Sequence, residues 1–221
     1  MSPRPKLKKL AIRCSNTDCA NNLHCFRKST KQPSQQDGQC QACGVQLVEW
    51  PRVHRRDLAD SEHTLTSLKY EWIRHHYWTK PLSQRVIDHA RRKGRQGLGV
   101  AVEKKITQSI SKPKSLNAWD GRQTTFDETK ETIITCGQHA VACCCRTCLE
   151  YWHGIPANSP LDHKQFEYIK ALILMYIDQR MPGLQAEPAR VARLTRSRRR
   201  SEDSSTSDNR TLQMLFPKAK D

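Results

Sequence analysis

Residues 136–154, CGQHAVACCCRTCLEYWHG, gather five cysteines and two histidines in nineteen positions, and this stretch constrains the fold more than any other. Thiols at that density are cross-linked, kept for redox chemistry or gathered round a metal, and each use suits a different compartment.

The compartment is read from the rest of the chain. No apolar run approaches the roughly 20 residues needed to cross a bilayer. The N-terminal MSPRPKLKKLAIRC is basic but has no apolar core of about 7 to 15 residues, so no secretory signal is expected. A cytoplasmic location follows, where thiols stay reduced, and ten cysteines then read as metal ligands before disulfides. Redox chemistry ranks last, because CRTC has no preceding strand pattern of the thioredoxin kind.

Charge points to the partner. There are 38 Lys+Arg against 22 Asp+Glu, a formal charge of +16, and binding a polyanion releases its condensed counterions. Nucleic acid, DNA in the first instance, is the expected partner, and no membrane.

The expected fold class is mainly α: a helical domain with an embedded Cys/His metal site, plus a small N-terminal zinc ribbon or knuckle. The divisions are a basic leader (1–13), the ribbon-like segment (14–50), the helical domain (60–182) and a basic tail (185–221). The tail is densely charged and poor in apolar residues, which predicts disorder. Its LQMLF (212–216) is either a docking peptide for a protein partner or an incidental apolar patch.

In the ribbon-like segment, Cys14 and Cys19, then Cys40 and Cys43, form two closely spaced thiolate pairs that can close a tetrahedral zinc site. His24 and Cys25 are spare ligands, either of which can replace Cys19. Zinc would supply much of the folding free energy of so small a unit, and Phe26, Arg27, Lys28 and Trp50 could face nucleic acid.

Further along, Leu65, Leu68, Trp72 and Ile73 follow a candidate cap at Ser61 with helical spacing. Ser83 caps a second helix that stops at Gly94, and another begins after GRQGLG. Gly97 and Gly99 would let backbone approach a phosphate, the next helix would offer free N–H groups, and Arg91, Arg92, Lys93 and Arg95 flank the turn. The pattern resembles a helix-hairpin-helix phosphate clamp.

The opening stretch reads as one helix over about 138–152. Cys145, Cys148 and His153 then suit a second zinc, with His139 or Cys144 completing the set. The less favoured iron–sulfur cluster would take Cys136, Cys144, Cys145 and Cys148.

DGRQT (120–124), QHAVACCCRTCLEYWHGIP (138–156) and the apolar run ending in LILMYID together resemble the bacterial family of domain of unknown function 4186. That family's pattern runs DGKQT, QHATATCCRxCLxxWHxIP, then a helix, and the likeness spans about residues 70–180. It aligns Gln138, His139, Cys144, Cys145, Arg146, Cys148, Trp152 and His153. Cys143 stands where the family has threonine, Cys136 has no counterpart, and TTFDETKET replaces a proline and short insert. The resemblance implies a shared site and names no reaction.

The expected function is therefore a zinc-stabilised nucleic-acid-binding protein carrying two zinc ions. The enzymatic alternatives are a DNA base-excision (glycosylase-like) activity in repair or phage defence and a metal-dependent nuclease. For base excision, Asp120 is the candidate carboxylate, Gln123, Gln138 and His139 would read a flipped base, and Trp119 or Trp152 would wall it. Arg122 and Arg146 are expected on nucleic acid. A zinc deaminase is disfavoured, since no glutamate stands in the required HxE position.

Overall fold

The computed structural model describes residues 12–28, 35–116 and 130–191. The chain divides into two units, Met1–Ala189 and Arg190–Asp221; only residues 190 and 191 of the second are described, so the fold is that of the first. Trp119, Asp120, Arg122, Gln123 and LQMLF lie outside the described residues.

Seven α-helices and no strand occur among the described residues: α1 (Trp50–Val53), α2 (Ser61–Leu68), α3 (Trp72–Thr79), α4 (Gln84–Ser109), α5 (Ile133–Ala140), α6 (Arg146–His153) and α7 (His163–Arg180). None is long and apolar enough to cross a membrane.

The α5 helix is the axis of the core. It is buried from Ile133 to Ala140 on every side except Thr135, as a helix enclosed by neighbours must be, and it packs against α3, α4 and α7. Gly137 allows the close crossing with α7, since a Cβ there would lie 3.1 Å from Tyr176 and 3.2 Å from Ile173. Tyr168, Ile169, Leu172, Ile173, Tyr176 and Ile177 form the buried stripe of α7 at the spacing of one helix face. Its start is fixed by a reciprocal Asp162–Gln165 capping box that satisfies two otherwise orphaned N–H groups.

One expected helix is broken, and two expected helices are joined across a kink. The run from Ser61 to Trp78 divides at residues 69–71, because Glu71 is drawn into the interior, where it is fully buried. The expected turn after Gly94 is only a kink: Gly94 alone leaves the helical region (φ +64°), while Gly97 and Gly99 stay within α4. Ser83 does cap α4, its hydroxyl accepting from the Val86 N–H.

The kink has a packing cause. A Cβ at residue 94 would fall 2.5 Å from the Ala186 carbonyl oxygen, and the carbonyls of Gln185 and Ala186 accept from the N–H groups of Arg95 and Gln96 at 2.9 and 3.2 Å. The segment 185–189, which the sequence assigns to the tail, thus caps the second half of α4. Those two N–H groups are occupied, and Gly97 and Gly99 lie inside α4 and not in the turn that the expected phosphate clamp requires.

The Cys-bounded segment packs directly on the helical body. The His24 N–H donates to Tyr70 O and the Trp72 N–H to His24 O, each at 2.8 Å, and Phe26 meets Trp50 and Trp152 edge to face.

Candidate metal centres and a basic cleft

The first cluster unites Cys19, His24, Cys40 and Cys43, whose ligand atoms all lie within 4.8 Å of one another. The Sγ atoms of Cys19 and Cys40 are 3.9 Å apart, and His24 Nδ1 is 3.4 Å from Cys43 Sγ. A tetrahedral ion with bonds of about 2.3 Å to sulfur and about 2.0 Å to nitrogen has S–S and S–N edges of about 3.8 and about 3.5 Å, so the donors stand at coordination spacing. His24 Nε2 is 3.0 Å from Asn22 Oδ1; an N–H donated there leaves the Nδ1 lone pair for the site.

Local backbone prepares the sulfurs. The Ala42 N–H donates to Cys40 Sγ at 3.4 Å. Burial opposes ionisation of Cys40, but N–H groups of Cys25, Cys43 and Ala42, with the His24 side chain, outweigh it and bring the thiol down to about 6, and the thiolate is the form that binds metal. Cys14, expected here, is absent from this group. His24 takes its place because the backbone bonds to residues 70–72 hold that imidazole beside Cys19, Cys40 and Cys43.

The second cluster is Cys144, Cys145 and Cys148, again within 4.8 Å of one another and all buried. The expected single helix over 138–152 is interrupted to build it: α5 ends at Ala140, Ala142 adopts φ +53°, and Cys145 is extended and caps α6. Its sulfur accepts from the Cys148 N–H at 3.4 Å, and Cys144 Sγ is 3.6 Å from Cys148 Sγ. Two expected ligands are elsewhere. His153 lies between Val141 O (2.9 Å) and the Tyr168 hydroxyl (3.1 Å), with burial holding it down to about 4; His139 is stacked on Tyr77 at 4.7 Å. Both are core histidines.

A buried ion pair supports this cluster, and sequence reasoning missed it. Arg74, fully buried, donates to Glu71 (2.9 Å), His139 O (2.7 Å), Tyr151 Oη (3.1 Å) and Cys148 Sγ (3.2 Å). Glu71 also accepts from the Tyr151 hydroxyl at 2.8 Å and Trp152 Nε1 at 2.6 Å. Hydrogen bonds from Cys144 and Cys145, joined by the Arg74 charge, hold Cys148 well below its ordinary value. The available signal was a charged pair, Glu71 and Arg74, flanking the apolar Trp72 and Ile73.

Other expected site residues are structural. Arg146 is buried and donates to the carbonyls of Ile110, Pro156, Ala157 and Ser159, so it ties the chain beyond α6 together instead of facing a nucleic acid. Gln138 is buried, its amide donating to Ser109 Oγ, and Trp152 is core. Arg95 pairs with Asp178 across α4 and α7.

Basic residues do converge in one place. A cleft of about 300 Å³ is lined by Lys93, Lys104, Lys105 and Lys130, with His89 and Thr132. Burial lowers Lys105. Burial, then the charges of Lys93, Arg92 and Arg85, lowers His89, as a positive local potential requires. A larger cleft of about 660 Å³ is lined by Phe26, Trp50, His54 and Tyr151, with Lys28, Glu49 and Glu150 among its polar groups.

The family model described as Domain of unknown function (DUF4186) matches residues 62–178, more than half of the chain. The match takes in the second cluster and the lysine-lined cleft and leaves out the first cluster. No solved structure matches the chain.

Proposed function

The chain belongs to the DUF4186 family, whose description carries no activity, and from its own residues we propose that it is a zinc-stabilised nucleic-acid-binding protein of the cytoplasm, directed at DNA. The observation that carries this reading is the concave lysine surface of Lys93, Lys104, Lys105 and Lys130 on a chain of charge +16. Phosphates attract such a surface without regard to base sequence.

Zinc suits the donors better than iron–sulfur. Sulfurs 3.6 and 3.9 Å apart match one edge of a tetrahedron about a single ion, whereas a cluster of several irons spreads its cysteines further. A thiolate-rich donor set also suits a structural ion more than the water-activating metal of a nuclease.

The test is fluorescence polarisation with labelled duplex DNA, and RNA of the same sequence, over a salt series. Binding should weaken steeply with salt, and Lys93→Ala with Lys104→Ala should flatten the logarithmic slope by about 0.9 for each phosphate no longer neutralised. A salt-independent affinity, or a slope unchanged in the double variant, refutes the assignment of the cleft.

One observation favours the base-excision alternative. The larger cleft combines aromatic walls, Trp50 and Tyr151, with the carboxylates Glu49 and Glu150, the groups a flipped base and its departing sugar require. Alkali-labile sites appearing in modified duplexes after incubation would establish it; intact strands under tight binding would leave the binding protein.

A further inference from the structure

The two clusters differ in donor number. The first offers three thiols and an imidazole, the second three thiols alone. All ten cysteines and nine histidines of the chain lie among the described residues, and no other of them brings a donor atom within 4.8 Å of all three sulfurs of Cys144, Cys145 and Cys148. A structural zinc closes its tetrahedron with four protein donors, and this group supplies three.

The chain builds the triad by local means. Ala142 at φ +53° reverses the backbone, and the Cys143 N–H closes that turn on Gln138 O at 2.8 Å. Cys145 is extended at the N-cap of α6, and its sulfur accepts from the Cys148 N–H at 3.4 Å, which keeps both side chains at the start of the helix. Cys144 Sγ then stands 3.6 Å from Cys148 Sγ. Cys144, Cys145 and Cys148 are 3, 6 and 4 % exposed, so a ligand that enters must be small and must shed its water.

Charge decides which ion suits such a place. Arg74 donates to the Cys148 sulfur at 3.2 Å and is paired at 2.9 Å with Glu71, both side chains being fully buried, so the two charges cancel. Three thiolates about a divalent ion leave one net negative charge in this interior, and uncompensated buried charge is costly. Three thiolates about a trivalent ion leave none. Trivalent arsenic and antimony are soft, as thiolate sulfur is, and they bond three ligands in a pyramid whose remaining corner is their own lone pair. They require no fourth donor.

We propose that Cys144, Cys145 and Cys148 form a trithiol site for a trivalent metalloid, which displaces the zinc that three donors hold there and leaves the four-donor first cluster intact. One molecule of arsenious acid, uncharged near neutral pH, and three thiols give one arsenic trithiolate and three waters. Three As–O bonds break and three As–S bonds form, each thiol proton leaves in a water, and arsenic keeps its oxidation state, so neither oxidant nor reductant is consumed. Where zinc is already bound, three protons from solvent replace the thiol protons and zinc leaves as the divalent ion. The bound atom ties the first turn of α6 to the turn that leaves α5.

The inference concerns the second cluster alone and is independent of DNA binding, and the zinc content of the untreated chain reports separately on the zinc reading. The full chain, kept reduced with a phosphine because a dithiol competes for arsenic, is titrated with arsenite at neutral pH and followed by native mass spectrometry. Each chain should take up one arsenic in place of three hydrogens at the triad, releasing any zinc held there. X-ray absorption at the arsenic edge should find three sulfur neighbours and no oxygen or nitrogen. Cys148→Ser should lose the three-sulfur signal, and Cys145→Ser gives the same reading if the first variant fails to fold. Cys43→Ser, which removes a thiol of the first cluster, and Cys143→Ser, which removes the adjacent buried thiol, should keep it. A folded wild-type chain that takes up no arsenic overturns the proposal, as does an arsenic with fewer than three sulfur neighbours. Uptake that survives Cys148→Ser and is abolished by Cys43→Ser also overturns it, since the metalloid would then sit in the first cluster.

Discussion

Replacing Arg74 by methionine removes the buried cation that faces both Glu71 and the second cluster. Arg74 makes five hydrogen bonds to separate partners: the Glu71 carboxylate, the His139 carbonyl, the Tyr151 hydroxyl and the sulfurs of Cys148 and Cys144. Methionine fills most of the volume and makes none of them. Glu71, fully buried, keeps only the donors from Tyr151 and Trp152 and becomes an uncompensated charge. Breaking a buried pair from one side costs about 3–5 kcal/mol, which for a unit of this length is a fall in Tm of roughly 6 to 20 °C. The double variant Glu71→Gln with Arg74→Met removes both charges and should recover a large part of that loss, since the penalty belongs to the stranded carboxylate. Thermal unfolding followed by circular dichroism, with zinc content measured in parallel, reads the cycle. A single variant within about 1 kcal/mol of wild type, or a double variant destabilised by the sum of the two singles, refutes the reasoning. A loss that follows zinc content alone would place the effect at Cys148 and not at Glu71.

Gly94→Ala should cost about 1–3 kcal/mol, because the residue must hold φ +64° with its Cβ against the Ala186 carbonyl; urea denaturation checks this, and an unmoved midpoint counts against the kink. His153 is held down to about 4 from 6.5, first by burial, so its contribution is present above about pH 6.5 and fades as pH falls through 4, up to roughly 3 kcal/mol. Acid unfolding of His153→Gln should accordingly be less steep than wild type by up to one proton; equal steepness would mean that the imidazole does not charge on unfolding. Removing zinc with a chelator should release hydrogen-exchange protection at the Cys40 and Gly44 amides first, since residues 35–48 contribute little apolar core of their own; retained protection there would show a fold independent of metal.

The cap of α4 and the apolar run of α7 were legible. Ser83 and LILMYID are local features, readable over a few neighbouring residues. The break at residues 69–71 was not. Glu71 looks like a surface residue in sequence, and only the donors of Trp152, Tyr151 and Arg74, arriving from distant positions, make its burial tolerable. Gly94 was legible as the point where the helix is interrupted, but Gly97 and Gly99 read as a turn, and only the packing of residues 185–187 shows that the chain returns to helix directly after Gly94.

The same division runs through the metal centres. Which side chains can bind a soft ion, and that the chain carries two groups of them, follows from residue chemistry and short spacing. How the donors are shared depends on three dimensions: His24 enters the first group, Cys14 is left outside it, and His139 and His153 withdraw into the core. Ligand type is a property of one residue, readable wherever it stands. Ligand partnership is a distance between segments, as for His24, which backbone bonds to Tyr70 and Trp72 hold beside Cys43, and only the tertiary packing determines it.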